Sequence, residues 1–436
     1  MKINLNSQLS KILMLIVFSV SVNAQLKTTE SEVGLGWSNN SVNTVIFRNS
    51  ALTSFKGDQY TAYYDPEGRM VLAKRKLNSK KWDKLITPYS GNVKDAHNDI
   101  SIVIDGEGYL HVSWDHHDTR LRYARSKKPF SLELGEEKPM TGIDEDKVTY
   151  PEFHNLSNGN LLFCYRSGAS GRGNLVIKSY DLKKQEWTSL QNNLLDGENQ
   201  RSAYWQMCIG KKGIYISWVW RESWDVSTNH DVCYAFSADG GKTWQKSTGE
   251  KYILPITKAT AEHAWEVPQN SSLINQTAMT VDEKDNPYIA TYWNNNSKPQ
   301  YKVVYLSDGK WNLMDTDFRK TSFNLGGGGT KRIPISRPEI LVNKSMLYLL
   351  FRDEERNNKI TLASANLKTK KWQLDDVSRL TVGQWEPNFD KELWKEKQEL
   401  HIFSQNVNQA DGEGLVNANP EPVQILEVKQ LPVLKD

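Results

Sequence analysis

The sequence predicts an all-β fold, a seven-bladed β-propeller of four-stranded antiparallel blades. Two recurring phrases and one absence lead there. The first phrase is an alternating apolar strand, a short polar turn and a tryptophan, as in "VIKSYDLKKQEW" at 176–187 and "VCYAFSADGGKTW" at 232–244. The second is a strand, a turn with Gly or Asn, and another strand, as in "IVIDGEGYLHVSWDHH". Beyond the N-terminal leader, no long helical spacing of apolar residues occurs. Period-2 alternation broken by tight turns marks antiparallel strands. Four-stranded sheets repeated radially bury their faces on one another and leave only short edges.

The elements follow in order. Lys2 and Lys11 precede an apolar run, Ile12 to Val22, that is too short to span a bilayer, and "VNA" supplies small residues before Gln25. Residues 1–24 are therefore expected to be a secretory signal peptide, and residues 25–436 a single propeller domain, secreted or periplasmic. "NTVIFRN" at 43–49 is expected to pair with the last blade and close the ring. The first unit joins "FKGDQYTAYYD" to "VLAKRKLNSKKW", and the second joins the histidine-rich hairpin to a copy without Trp, "LRYARSKKPFS". "NLSNGNLLFCYR" and "CIGKKGIYISWVWR" precede the two copies already quoted. "TVDEKDNPYIATYW" leads to "VVYLSDGKW", "LVNKSMLYLLFRD" to "ITLASANLKTKKW", and "KELWKEKQELHIFSQ" begins the last unit. Trp82, Trp187, Trp244, Trp311 and Trp372 end their phrases and are expected to fill gaps between blades. "SADGGKTW" at 237–244 is an Asp-box, S-x-D-x-G-x-T-W, which ties a hairpin and says nothing about chemistry.

Composition excludes several classes. Lys and Arg number 55 against 52 Asp and Glu, a net charge of +3. A nucleic-acid binder normally shows a clear basic excess. No Cys follows the expected cleavage site closely enough to carry a lipid, and no later run suits a membrane span, so no membrane anchor is expected. Cys164, Cys208 and Cys233 are too few for a disulfide scaffold and read as buried thiols. A monomer is expected.

In a propeller the innermost strand of each blade lines a central channel, and one end of each such strand faces a common mouth. His97, Tyr150, Tyr204 and Arg337 occupy those starts, while His117, Arg166, Arg221 and Arg352 lie on the following hairpins. Guanidinium forks grip carboxylates or sulfates, so Arg166, Arg221, Arg337 and Arg352 predict an anionic ligand unless acids such as Glu222, Glu339 or Asp353 pair with them. Trp205, Trp218, Trp220, Trp224 and Trp293 are candidate stacking surfaces for sugar rings. Together these predict an acidic poly- or oligosaccharide substrate. Imidazoles and phenols at the same mouth suit proton transfer. Strand alternation puts His111, Ser113, Asp115 and His117 on one face and His116 on the other, leaving His111 as a packed sheet residue. A zinc site is the rival use of clustered histidines, but further ligands are not evident in the local spacing. No metal and no cofactor is expected.

"AHNDISIVIDGEGYLHVSWDHHDTRLRYARS", "TYPEFHNLSNGNLLFCYRSGASGRGNLVIKSYD" and "RSAYWQMCIGKKGIYISWVWRES" resemble the BNR-4 repeat proteins, most strongly over 95–245. That family includes seven-bladed ulvan lyases and relatives acting on rhamnose–uronate linkages. The resemblance implies a carbon–oxygen lyase performing β-elimination at C4–C5 of a uronate. It assigns His97 to proton transfer, His117 to a partner role near the uronate, and Tyr150 to acid or base. It assigns Arg166 to neutralising the carboxylate, and Tyr204 to support. If O4 carries no further sugar, the same residues would expel water, as an oligosaccharide dehydratase. A rhamnosidase- or sialidase-type exo-glycosidase is a further alternative; the only "RIP", Arg332–Pro334, lies far downstream of where sialidases place it. A glycan-binding propeller without catalysis would keep the arginines and aromatics but need no paired His and Tyr.

Overall fold

The computed structural model describes residues 25–47 and 49–434. The expected signal peptide lies outside the described residues. Among the described residues strands dominate, with one short α-helix, Lys391–Lys397, capped by the Asp390 side chain on the Leu393 amide. Among the described residues no helix is long and apolar enough to cross a membrane.

The strands form six sheets. Three have four strands in simple up-and-down order, beginning at Leu52–Phe55, Ala278–Val281 and Glu339–Asn343. One of nine strands holds two consecutive four-stranded meanders, starting at Val148–Asn155 and Ser202–Ile209; a single parallel bridge, Gly173 to Ser202, joins them. Two sheets have three strands rather than the four expected. In one, Ile100–Ile104, Leu110–Trp114 and Tyr123–Arg125, the lone bridge Ser126–Leu134 stands where a fourth strand would lie. In the other, Thr28–Gly36 pairs with Glu421–Val428, which pairs with Leu400–Ser404.

The strand that joins the two ends of the chain is thus 28–36, not the expected 43–49. Val45, Ile46 and Phe47 are buried in a turn-rich segment and pack in the core; their apolar run reflects burial without sheet pairing.

Apolar clusters lie between successive sheets. One joins Tyr60, Leu72, Ile102 and Val112; another joins Val103, Tyr123, Phe163 and Trp187. The last sheet packs on the first through Val33, Val423 and Ile425 against Leu52, Tyr63 and Trp82. Trp82, Trp187 and Trp244 are buried in these seams, and Trp311 and Trp372 are half-buried. Burying one such ring removes about 200 Å² from water, roughly 5 kcal/mol before entropy is counted. The Asp-box ties its hairpin: Asp239 accepts from the Ser237 and Thr243 hydroxyls at 2.9 and 2.7 Å and from the Thr243 amide at 2.9 Å. All three cysteines are free thiols; Cys164 and Cys233 are buried and Cys208 half-buried.

A cavity of about 560 Å³ is lined by residues of all six sheets or their flanks, among them Thr53, Val103, Asn155, Thr280, Asn343 and Phe389. Of these, Val103, Asn155 and Asn343 sit at the C-terminal ends of their inner strands. The residues proposed for chemistry sit at the opposite, N-terminal ends.

Candidate active site

The histidine-rich hairpin splits between two sheets. Leu110–Trp114 ends, Asp115 turns at φ +64°, and His117–Thr119 pairs instead with Val148–Asn155 of the next sheet. Alternation therefore fails as a guide beyond Trp114. His116 lies 3.2 Å from Ser113 Oγ, and its Nε2 accepts from the Arg122 amide at 3.2 Å. His111 is the sheet residue expected, buried between the Tyr123 hydroxyl at 2.7 Å and Asp105 at 3.1 Å.

Burial brings His116 down to about 4, despite the Arg122 carbonyl 3.4 Å from Nε2, which favours its charged form. It is neutral in the fold but regains the ordinary value, about 6.5, when unfolded. Unfolding then takes up a proton between these values, so this residue's contribution to stability is lost as pH falls through that window. We expect His116→Gln to flatten the fall of melting temperature between pH 7 and about 4.5. Parallel profiles would contradict it.

His97 and His117 meet at one carboxylate. Asp95 Oδ1 lies 2.8 Å from His97 Nδ1, and its Oδ2 lies 2.6 Å from His117 Nδ1. The two rings stack at 4.0 Å and 18°. Phe47 stacks on the other side of His97 at 4.8 Å and touches Tyr150 at 4.7 Å. Tyr150 in turn lies 5.9 Å from Tyr204. Among the described residues, Asp95, His97 and His117 are the one group of His, Cys, Asp and Glu whose ligand atoms all fall within 4.8 Å of each other. Both imidazole–carboxylate contacts have hydrogen-bond geometry, so two hydrogen bonds onto one acceptor account for the arrangement.

Tyr150 is held in an unusual backbone. Its φ is +59°, it precedes Pro151, and the register shifts between Thr149 and Glu152. A bulky residue there costs of order 1–3 kcal/mol, and such strain clusters at functional sites. Here it turns the phenol out of the strand's alternation and over Arg166, whose guanidinium carbon lies 4.7 Å from the ring centre.

Arg166 stands opposite Thr149 in the adjacent strand and is only 1 % exposed. Its Nε donates to the Gly168 carbonyl at 3.2 Å, but buried Nη1 has no hydrogen-bond partner among the described residues. Gly173 makes room for it: a Cβ there would lie 2.7 Å from Arg166 Cγ and Cδ. A buried guanidinium with an unused donor costs stability, which an anionic ligand would recover.

The two phenols are driven apart. Burial raises Tyr150 well above the ordinary value, Tyr204 adds to this, and Arg166, Arg221 and Arg337 oppose it without prevailing. Tyr204 is also pushed up by burial, but Arg221 and Arg166, with hydrogen bonds to Ser170 and Tyr150, bring it below the ordinary value. Burial brings His97 to about 4, against the hydrogen bond with Asp95 that favours its charged form. Asp95 would be raised by burial, but both histidines hold it well below the carboxylate range. At neutral pH the site thus holds a neutral imidazole, a protonated phenol and an ionised aspartate.

The structure brings His97, His117, Tyr150, Arg166 and Tyr204 together. The proposed binding residues fare differently. Arg221 reaches the Tyr204 hydroxyl at 3.4 Å, but its Nε and Nη2 are held by the Ser223 and Trp224 carbonyls. Arg337 is not an available fork, because Nη1 meets both Glu386 oxygens at 2.7 Å and Nε the Asn275 carbonyl at 2.6 Å. Arg352 is spent on structure: its three nitrogens bind the Ile333, Pro334 and Trp385 carbonyls and Asn358. Trp205, Trp218, Trp220 and Trp293 are buried in the core and present no face to a sugar. Trp205 instead donates to Glu152 at 3.1 Å.

Residues that sequence reasoning passed over complete the site. Asp95, two positions before His97, is the chief one; the D-x-H spacing of an Asx turn was its signal, and the His97 amide does donate to it at 2.9 Å. Thr330 and Glu413 approach His97 Nδ1 at 3.5 Å, which places the glycine-rich loop 324–334 at the site. Trp224, unlike these three, is among the stacking candidates the sequence offers; it is 64 % exposed beside Arg221, with the backbones of Gly171 and Gly328 against it.

A family model described as "BNR repeat-containing family member" matches residues 58–319. The chain belongs to this family. Among relatives of this BNR repeat-containing chain is an ulvan lyase of Alteromonas sp. (strain LOR), 22 % identical over 289 residues, or 56 % of this chain and 58 % of that protein. Another is Ulvan Lyase-PL25 of Pseudoalteromonas sp. (strain PLSV), 22 % identical over 283 residues, 54 % of this chain and 55 % of that protein. The chain spans about half the length of the curated relatives it matches. Its fold is similar to the crystal structure of polysaccharide lyase Uly1, with a TM-score of 0.69 at 16 % identity, covering 93 % of this chain and all of that one. It is likewise similar to a PL25 ulvan lyase bound to -[GlcA(1-4)Rha3S]-, with a TM-score of 0.68 at 17 % identity over 90 % and 95 % of the two chains.

Proposed function

We propose that residues 25–436 form one seven-bladed β-propeller and that its channel mouth eliminates across C4–C5 of a uronate in an ulvan-like rhamnose–uronate saccharide. Splitting the nine-stranded sheet at its single parallel bridge gives seven units, each packed on the next, with 28–36 joining the chain's two ends. The expected leader at 1–24 fits work on a polymer outside the cytoplasm.

The observation that carries the reading is buried Arg166, with an unused donor beside a protonated phenol and a neutral imidazole. A uronate C5–H is acidic only when the adjacent carboxylate is neutralised. Arg166 takes that carboxylate, and His97 Nε2 accepts the C5 proton. The C5–H electron pair becomes the C4=C5 double bond as the C4–O4 bond breaks, and the Tyr150 phenol protonates departing O4. Tyr204, whose ring lies 5.9 Å from that of Tyr150, orients it. Relatives carrying the name ulvan lyase, and a similar structure holding a glucuronate–rhamnose sulfate unit, support this choice of substrate class.

Mass spectrometry of products from ulvan oligosaccharides tests the leaving group. Chain scission into an unsaturated uronate and a saturated fragment is the expected result; loss of one water without scission would make the protein a dehydratase. Exposed Trp224 is the stacking platform that the buried tryptophans cannot be. We expect Trp224→Ala to raise KM for the polymer roughly tenfold with little change in kcat, the size of a lost aromatic contact. An unchanged KM would remove it from the binding surface.

A further inference from the structure

We propose that Asp95 is the positioning residue of this site, one carboxylate that locks both His97 and His117 in the Nδ1–H tautomer so that each presents a bare Nε2. The inference rests on the elimination reading only for its kinetic consequence; the tautomers themselves do not depend on any substrate.

The geometry leaves little freedom. An ionised carboxylate can only accept, and a neutral imidazole carries one N–H. Both Nδ1 atoms lie at hydrogen-bond distance from Asp95, at 2.8 and 2.6 Å, so each ring carries a proton on Nδ1, and a ring with one proton leaves Nε2 bare. Neither Nε2 forms a hydrogen bond to any described residue. The rings stack at 4.0 Å, so a charge on one imidazole disfavours a charge on the other. The other groups facing this cluster are the Glu413 carboxyl, which burial and Asp95 raise, and the Thr330 hydroxyl. Arg166 adds positive potential at His97. Asp95 therefore has two tasks: it keeps the accepting nitrogen bare before proton transfer, and it stabilises the imidazolium afterwards.

Asn is an informative substitute. An amide has one acceptor oxygen and one donor nitrogen, so it cannot accept from both imidazoles. At least one ring must lose its partner or move its proton to Nε2.

Nitrogen NMR of the full chain labelled at histidine, with the two rings assigned by His97→Gln and His117→Gln, reads the tautomers directly. The expected result is Nδ1–H on both in the wild type and a switch to Nε2–H on at least one in Asp95→Asn. An Nε2–H tautomer on either ring of the wild type, which needs no variant to fold, would overturn the proposal. So would stoichiometric metal in the purified protein whose removal by a chelator abolishes activity, since the three groups would then be its ligands. On an ulvan oligosaccharide, Asp95→Asn should lower kcat by about 100-fold or more with KM changed by less than about threefold. If the NMR result holds but no saccharide is cleaved, the elimination reading fails and the tautomer assignment stands.

Discussion

Arg166→Ala lowers elimination from a uronate saccharide by at least about 10³-fold, the scale of losing the principal charge-stabilising donor. Removing the C5 proton builds negative charge beside a carboxylate that is already negative, and the other arginines described at this mouth are engaged elsewhere. Arg337 is committed to Glu386, Arg352 to backbone carbonyls, and Arg221 to the 223–224 turn. The same variant should not lose stability in proportion. Buried Nη1 forms no hydrogen bond to any described residue, so alanine removes an unpaired buried donor as well as contacts. A steep fall in rate with a melting temperature near the wild type is the expected pair of results. Gly173→Ala provides a control from the neighbouring strand. Its Cβ would meet Arg166 Cγ and Cδ at 2.7 Å and displace the guanidinium without deleting it, so activity should fall by an intermediate amount. A loss below about tenfold in Arg166→Ala would remove the carboxylate from its proposed place.

Tyr150→Phe should lower kcat by about 10²–10⁴-fold while leaving KM and folding close to the wild type. Phenylalanine keeps the contact with Phe47 at 4.7 Å and the face presented to Arg166, and it adopts the same backbone with the same strain. What disappears is a site phenol whose burial favours the protonated form. The effect thus belongs to kcat, because the hydroxyl acts on O4 only as that bond breaks. Tyr204→Phe separates the two phenols. The Tyr204 hydroxyl is already engaged by Ser170 at 3.3 Å and Arg221 at 3.4 Å, so it orients rather than donates, and its loss should cost less. Equal losses in both variants would contradict this division of roles.

Much of the architecture was legible because the repeats are local. An alternating strand, a turn and a closing tryptophan need no knowledge of distant partners, and the Asp-box bonds within a few residues. The joining strand was not legible. "TTESEVGLG" at 28–36 carries glutamates and a register shift, while "NTVIFRN" looks like a strand only because Val45, Ile46 and Phe47 are buried. At the site, the sequence pointed to His97, His117, Tyr150, Arg166 and Tyr204 because the repeat fixes which end of each inner strand they occupy. It misplaced Arg337 and Arg352, since a residue type does not reveal its partner: Glu386 and the Ile333 and Trp385 carbonyls are distant in sequence. Trp205, Trp218, Trp220 and Trp293 failed for a related reason, since a large ring serves a core as readily as a sugar. Asp95 escaped notice because histidine count drew attention to imidazoles and away from what holds them.

The most direct measurement is ultraviolet absorbance of an unsaturated uronate on mixing the full chain with a rhamnose–uronate polysaccharide, alongside the same polymer with its carboxyl groups reduced to alcohols. Elimination steered by Arg166 predicts absorbance that grows with the native polymer and none with the reduced one. New reducing ends without that absorbance, or equal reaction with both polymers, would contradict it.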